Sequence, residues 1–153
     1  MRERIEQLYR DRFAAYVGAT AGILGDRELA RDVVQDGFVR ALTHQRRFHG
    51  GSLEAWVWRI ILNRARDVRR QRTPMPLPAE PAGVASPSGG ALAAAIAGLS
   101  ERRRTVVLLR YVAGLPNTEI AAVLGLSPGT VAATLSAARA ALSAALAEEE
   151  LRR

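Results

Sequence analysis

The chain has 153 residues, a net charge of +7 and no cysteine. This length allows one ordinary domain or two small helical ones, and the pI near 11.2 indicates an anionic partner, with nucleic acid as the first candidate. All 22 basic residues are arginine, which suits phosphate binding but is equally explained by codon bias. The lack of cysteine excludes disulfides and thiolate metal sites. No run approaches the roughly 20 apolar residues of a membrane span, so we expect a cytoplasmic protein without membrane insertion.

The first 72 residues predict three helices. The first runs from about Arg4 to Leu24, and the second from near Asp26 to about Arg46, with Gly25 as the C-cap between them. The third begins after the Gly50-Gly51-Ser52 turn and continues to residue 72. This half carries 15 arginines against nine acidic residues, so it holds most of the positive charge.

The second predicted helix has two different faces. Its apolar residues recur at 3.6-residue spacing and predict a core stripe, consisting of Ala30, Val33, Val34, Gly37, Phe38 and Ala41. The opposite face is acidic and amide, with two aliphatic residues among them: Glu28, Asp32, Gln35, Asp36, Val39 and Leu42. A plain solvated face does not need exposed aliphatics, so the pattern favours a surface for a partner helix over simple solvation.

The third predicted helix carries both tryptophans. One face is most simply core, with Leu53, Trp56, Val57, Ile60, Ile61 and Val68. Trp58 lies two positions from Trp56 and is therefore expected on another face with Leu62, flanked by Arg59, Arg66 and Arg69. An exposed aromatic among arginines offers stacking for an unpaired base. Packing of Trp58 against the first helix or the linker is an equally good interpretation.

A segment rich in proline and glycine divides the chain. Residues 73 to 90 contain five of the seven prolines, so we expect a linker without helix or core. Fully extended, it would span about 55 Å, enough for two flanking domains to sit apart.

Residues 91 to 153 contain a helix-turn-helix pattern between Thr118 and Leu142. Gly125 can take positive φ, and Ser127-Pro128 is typical of an N-cap followed by a first-turn proline. The second helix predicts a core stripe of Val131, Leu135, Ala138 and Leu142. Its other face has no basic residue and consists of Thr130, Ala133, Thr134, Ser136, Ala137 and Ala140. Bidentate readout of guanine by arginine is therefore excluded on that face.

Three stretches then carry a family resemblance: DRELARDVVQDGFVRAL, FHGGSLEAWVWRIILNRARDVRRQR and LSERRRTVVLLRYVAGLPNTEIAAVLGLSPGTVAATLSAARAAL. They resemble the extracytoplasmic-function (ECF) sigma factors of bacterial RNA polymerase. The resemblance implies an all-α chain with a region 2 domain at 1–72, a linker at 73–90 and a region 4 helix-turn-helix domain at 91–153. It implies a non-catalytic protein that binds core RNA polymerase and directs promoter-specific initiation, with no cofactor and with an anti-sigma factor as a possible partner.

The same resemblance implies three sets of site residues. For core polymerase they are Asp32, Gln35, Asp36 and Val39. For reading and opening the −10 promoter element they are His49, Gly50, Ser52, Trp56, Trp58, Arg59, Asn63, Arg66 and Arg70. For the −35 element they are Arg104, Ser127, Pro128, Thr130, Ala133, Thr134, Ala137 and Arg139, with Arg104 and Arg139 on phosphates.

Some positions depart from the family pattern. Ala132, Thr134 and Ala137 stand where the family's recognition helix usually has basic residues. Asn117 is expected to cap the preceding helix. The alternative function is a helix-turn-helix regulator that does not recruit polymerase, but it leaves the acidic face of the second helix unexplained. An enzyme is poorly supported, since His44 and His49 are the only histidines and no phosphate-binding loop or acid/base pair is present.

Overall fold

A computed structural model describes residues 1–72 and 90–152, and within these ranges all regular secondary structure is helical. It contains α1 (Arg2–Leu24), α2 (Arg27–Thr43), α3 (Leu53–Arg72), α4 (Gly90–Ala97), α5 (Glu101–Tyr111), α6 (Asn117–Leu124) and α7 (Pro128–Leu151), with a 3₁₀ turn at Gln45–Arg47. The predicted all-α class is confirmed. We call residues 1–72 the N-terminal lobe and 90–152 the C-terminal lobe.

Local capping signals position the helices of the N-terminal lobe. Gly25 ends α1 in the left-handed region at φ 75°, and the Asp26 carboxylate accepts a 3.0 Å hydrogen bond from the Leu29 amide at the start of α2. That hydrogen bond lowers the pKa of Asp26. The α2 end predicted near Arg46 is wrong, because the helix stops at Thr43 and continues as the 3₁₀ turn.

The core stripe predicted on α2 is confirmed, since all six residues are buried. Gly37 allows α2 to approach α3 closely: a Cβ at this position would lie 2.5 Å from Ile61 Cγ1. A glycine inside a helix costs about 1 kcal/mol relative to alanine. The close packing against Ile61 is the structural reason for keeping it there.

Trp58 belongs to the core, so of the two interpretations that the sequence left open, packing against the first helix is confirmed and the exposed aromatic is wrong. Its side chain is 0% exposed and stacks on Tyr16, with ring centroids 4.3 Å apart and an interplanar angle of 24°. Tyr16 in turn meets Phe38 edge to face at 5.2 Å, so one aromatic cluster joins all three helices. Burial raises the pKa of the Tyr16 hydroxyl. Leu62, expected beside Trp58 on the surface, is also buried.

The C-terminal lobe contains the helix-turn-helix predicted from the sequence. Gly125 has φ 68°, and Ser127 Oγ accepts a 3.1 Å hydrogen bond from the Thr130 amide, with Pro128 in the first turn of α7. Val131, Leu135 and Ala138 are buried, and Leu142 packs against the core at partial exposure. The capping prediction for Asn117 is wrong: Pro116 is the N-cap, and Asn117 is the first helical residue.

The two lobes are in contact through α1 with α5 and through α3 with α6. Their buried residues form one continuous cluster. The linker predicted at 73–90 extends one residue too far, because Gly90 already begins α4. Residues 73–89 of that linker lie outside the described residues.

Helix α7 is long and apolar enough to cross a membrane, with a mean hydropathy of 1.4 over 18 residues. The expectation that no segment approaches such a length and composition is therefore wrong. Nine of its 24 residues are alanine, and its N-terminal part packs on α5 and α6. Such a single helix is weak evidence for membrane insertion, and its packing on the neighbouring helices buries Val131, Leu135 and Ala138.

Candidate nucleic-acid and partner interfaces

The exposed side of α2 borders an apolar groove. Val39 is 60% exposed, and Asp32 and Gln35 are exposed beside it. The groove lies between α1 and α2 and has a volume of about 470 Å³. Its lining includes Ile5, Tyr9, Gln35, Phe38, Val39 and Leu42. Leu42, expected to be exposed, is half-buried and packs against the core. The surface combines amide and acidic groups with an accessible aliphatic strip, which is the chemistry of a helix-binding face.

Asp36 lies at the edge of this face and also contributes to the fold. Its Oδ2 is 2.9 Å from Arg64 Nε on α3 and 3.0 Å from Arg40 Nε on α2. The side chain is 39% exposed, so both ion pairs are partly screened by solvent. A contact between Asp36 and a partner would therefore compete with a link between α2 and α3.

The predicted −10 residues divide into an exposed stripe and buried or capping positions. Trp56 is half-buried and tilted against Phe48, with ring centroids 5.5 Å apart. Four further residues follow it at intervals of three or four and are all exposed: Arg59, Asn63, Arg66 and Arg70. Such spacing places side chains on one side of a helix. The same spacing can be read from the sequence, although the periodicity of the apolar residues had placed Trp56 on the core face of α3.

The loop before α3 lies at the N-terminal end of this stripe. His49 and Gly50 are exposed, and Gly50 and Gly51 have φ of 103° and 80°, values that favour glycine. Ser52 Oγ accepts a 3.1 Å hydrogen bond from the Ala55 amide, so this residue caps α3. Trp58 lies beneath the stripe in the core, and Trp56 is therefore the aromatic that an unpaired base could reach.

The C-terminal end of the exposed stripe on α3 faces the C-terminal lobe. Arg66, Arg69 and Arg70 line a groove of about 820 Å³ together with Arg102, Leu124 and Leu126 of the C-terminal lobe. Arg69 Nη1 lies 3.4 Å from Glu101 Oε1, and Arg70 Nη2 donates to Asp67 Oδ1 at 2.6 Å. This part of the predicted −10 surface therefore forms one wall of a cleft between the lobes.

The recognition-helix face forms a shallow groove with basic residues that the sequence interpretation missed. Ser127, Thr130, Ala133, Thr134 and Ala137 line it, and so do Arg102 and Arg103 from the first turn of α5. Both arginines are exposed. The family resemblance implies a role for Arg104, the third arginine of this run, but none for Arg102 and Arg103. Arg102 and Arg103 supply positive charge next to a face of α7 that has no basic residue.

Arg104 and Arg139, which were predicted to contact phosphates, also have hydrogen-bond partners within the protein. Arg104 Nη2 donates to the carbonyls of Ala97 at 3.1 Å and Leu99 at 2.9 Å, and burial lowers its pKa. Arg139 Nε donates to the Tyr111 hydroxyl at 2.6 Å, with its guanidinium 5.5 Å from the ring centroid. Arg104 holds the α4–α5 turn, and Pro128 is exposed beside the Ser127 cap.

The fold and these surfaces define a two-lobed helical protein with a helix-turn-helix in its second lobe. The sequence profile of Sigma-70 region 2 matches residues 7–74, and that of Sigma-70, region 4 matches residues 89–142. Among curated proteins, the ECF RNA polymerase sigma factor EcfG of Rhodopseudomonas palustris is 30% identical over 80% of this chain and 74% of its own length. The ECF RNA polymerase sigma factor SigE of Mycolicibacterium smegmatis is 30% identical over 81% of this chain. This chain spans only 54% of that SigE.

Solved structures agree with these sequence matches. CnrH, in complex with the cytosolic domain of CnrY, superposes with a TM-score of 0.76 at 30% identity, covering 97% of this chain and 90% of CnrH. The sigma factor RpoE, in complex with the anti-sigma factor NepR from Bartonella quintana, has a TM-score of 0.75, covering 94% and 97% of the two chains. Its identity of 23% supports the fold alone. The chain belongs to the ECF sigma factors of the sigma-70 family.

Proposed function

We propose that this protein binds core RNA polymerase through the exposed face of α2 and directs transcription initiation from promoters with two recognition elements. The observation that carries the proposal is the presence of both sigma regions in one chain, each with an exposed surface of the appropriate chemistry. The role is recruitment and promoter recognition rather than catalysis, and it belongs in the cytoplasm with the polymerase. An anti-sigma factor is a further proposed partner, as in the RpoE–NepR complex.

The polymerase-binding surface centres on Val39. At 60% exposure this aliphatic side chain has area to bury against a partner, and Asp32, Gln35 and Asp36 lie within one to two turns on the same side of α2. The groove between α1 and α2 continues this surface through Tyr9 and Leu42. A helix-turn-helix regulator without polymerase binding would not need this apolar and acidic face.

The promoter-binding surfaces are proposed on α3 and α7. On α3, Trp56 would stack on an unpaired base, while Arg59, Asn63, Arg66 and Arg70 would contact the strand and its phosphates. On α7, Thr130, Ala133, Thr134 and Ala137 would face the −35 groove through methyl and hydroxyl contacts, and the Ser127 end of the helix would lie at a phosphate. Arg102 and Arg103 would supply further phosphate contacts beside this helix.

Val39→Arg tests the polymerase-binding surface. A long charged side chain in the centre of the face would prevent close packing, so we expect binding to core RNA polymerase to weaken at least about 30-fold, in line with a lost interface hot spot. The measurement is the Kd of fluorescently labelled full-length chain for core enzyme. Asp36→Arg is a less specific probe, because Asp36 also pairs with Arg64.

Leu92→Arg is the matched control. Leu92 is also an exposed aliphatic residue, at 52%, but it lies on α4 in the other lobe. The Leu92→Arg variant should bind core enzyme with the same Kd as the wild type. Equal binding by Val39→Arg and wild type, with both variants folded by circular dichroism, would show that the assigned face is wrong.

A further inference from the structure

The second helix of the helix-turn-helix, α7, presents a face of small side chains to the shallow groove at its N-terminal end. Thr130 and Ala133 are exposed, Thr134 and Ala137 are half-buried, and all four line this groove of about 570 Å³. Their spacing of three, one and three positions places them on one side of the helix. At a rise of about 1.5 Å per residue they cover about 11 Å, or about three base pairs of B-DNA. We call these four residues the methyl face.

The two hydroxyl groups of the methyl face already have partners within α7 and its cap. Thr134 Oγ1 donates a 2.8 Å hydrogen bond to the Thr130 carbonyl, and Thr130 Oγ1 lies 2.9 Å from Ser127 Oγ. Because its proton is committed to the backbone, the Thr134 hydroxyl can only accept a further hydrogen bond. Guanine presents two acceptors, N7 and O6, in the major groove, so this hydroxyl does not match guanine. The face therefore offers a base its four methyl groups.

The basic residue within α7 is held on a different side of the helix. Arg139 is the one basic residue of Pro128–Leu151, and its Nε donates to the Tyr111 hydroxyl at 2.6 Å. Its guanidinium also lies 5.5 Å from the Tyr111 ring centroid. Arg139 follows Ala137 by two positions and is therefore about 200° around the helix from it. A base pair beneath the methyl face thus meets apolar groups of α7 rather than its guanidinium.

We propose that the methyl face reads thymine, and that the −35 element bound by this protein is therefore rich in A·T pairs. The thymine C5 methyl group is the apolar feature of base edges in the major groove, and alanine and threonine methyl groups are its partners. A G·C pair there would bring the cytosine amino group and the guanine acceptors against methyl groups, where they lose water without gaining a hydrogen bond. The inference deepens the proposed function and rests on it, because it requires α7 to lie in the −35 groove.

Selection from a library of duplex DNA with a long randomised segment tests the base preference. The full-length chain is used alone and assembled with core RNA polymerase. Ala133→Arg is the test variant, and Ser143→Arg is the matched control, because Ser143 is also exposed on α7 but lies about 15 Å further along the helix.

The wild type and Ser143→Arg should enrich about three adjacent A·T pairs in the upstream element. Ala133→Arg should enrich guanine there, because arginine supplies the pair of donors that guanine accepts. Enrichment of guanine by the wild type at these positions overturns the inference.

The two forms of the protein separate this inference from the proposed function. A chain that does not bind core enzyme refutes the proposed function, and the selection with the chain alone then decides on the methyl face by the same criterion. A chain that binds core enzyme and enriches a −10 element without any upstream preference overturns the inference, while its recruitment of polymerase stands.

Replacement of single thymines by deoxyuridine in a selected duplex tests the contact itself. The replacement removes the C5 methyl group and leaves base pairing intact. Affinity should fall about fourfold for each contacted thymine, as expected for one methyl group that is no longer buried. The same replacement outside the two elements is the control and should leave the Kd unchanged. Undiminished affinity after replacement of every thymine in the upstream element overturns the inference.

Two substitutions of Thr134 distinguish a methyl contact from a hydroxyl contact. Thr134→Val keeps the methyl group and the branched shape but removes the hydroxyl, whereas Thr134→Ser keeps the hydroxyl and removes the methyl group. Thr134→Val should bind the selected duplex within about twofold of the wild type, and Thr134→Ser about fourfold more weakly. Weaker binding by Thr134→Val than by Thr134→Ser, with both variants folded by circular dichroism, overturns the inference.

Discussion

Trp56 and Trp58 are two positions apart on α3 and have different environments. Trp58 is fully buried on Tyr16, whereas Trp56 is half-buried against Phe48 at the start of an exposed polar stripe. Periodicity alone could not settle which tryptophan is inside, because an aromatic on either side of a helix can meet a neighbouring helix. The deciding contact is with Tyr16, about 40 positions earlier, and a single helix gives no indication of it.

Substitutions at the two tryptophans should therefore affect different properties. Trp58→Ala removes a buried aromatic and should lower the free energy of unfolding by about 3–5 kcal/mol, with DNA binding lost only through unfolding. Trp56→Ala should leave the unfolding transition within about 1 kcal/mol of the wild type, yet weaken binding of a single-stranded −10 oligonucleotide to the holoenzyme about 5- to 100-fold. Denaturant titration and a binding assay measure the two effects. The reverse assignment of effects would contradict the placement of the rings.

At the scale of elements, α5 and α7 share the proposed −35 surface. The sequence allowed the helix-turn-helix, its Gly125 corner and its Ser127 cap to be predicted, because those signals are local. It did not allow the position of Arg102 and Arg103 beside α7 to be predicted, since that depends on how α5 packs across α7. Their neighbour Arg104, which the resemblance assigns to a phosphate, donates to the carbonyls of Ala97 and Leu99 in the free chain.

The two exposed arginines should carry much of the electrostatic part of −35 binding. For the C-terminal lobe in the holoenzyme, we expect each of Arg102→Ala and Arg103→Ala to reduce the slope of log K against log salt by about one unit, as for one lost phosphate contact. The measurement is promoter-DNA affinity over a range of salt concentrations.

Arg152→Ala is the control for net charge, because this exposed arginine lies at the far end of α7. Its salt slope should equal that of the wild type. If Arg102→Ala and Arg103→Ala also leave the slope unchanged, the phosphate contacts lie elsewhere on the lobe.

At the scale of the whole molecule, the division into two helical lobes was predictable from the proline-rich segment and the two motif-bearing halves. Their mutual packing was not, because it depends on contacts such as Gly22 with Leu108 between residues 86 positions apart. A linker predicted to reach about 55 Å permits both an open and a closed chain. The closed arrangement determines which surfaces are available: the face of α2 is open to a partner, whereas the end of the α3 stripe lies in the cleft.

The most direct test of the central claim is reconstituted transcription with core RNA polymerase, this chain and a library of promoter-containing genomic fragments. We expect discrete start sites that depend on the added chain, with a shared pair of upstream elements, and expect Val39→Arg to abolish them while Leu92→Arg does not. Core enzyme that produces the same transcripts with and without the chain would contradict its assignment as a sigma factor that directs initiation.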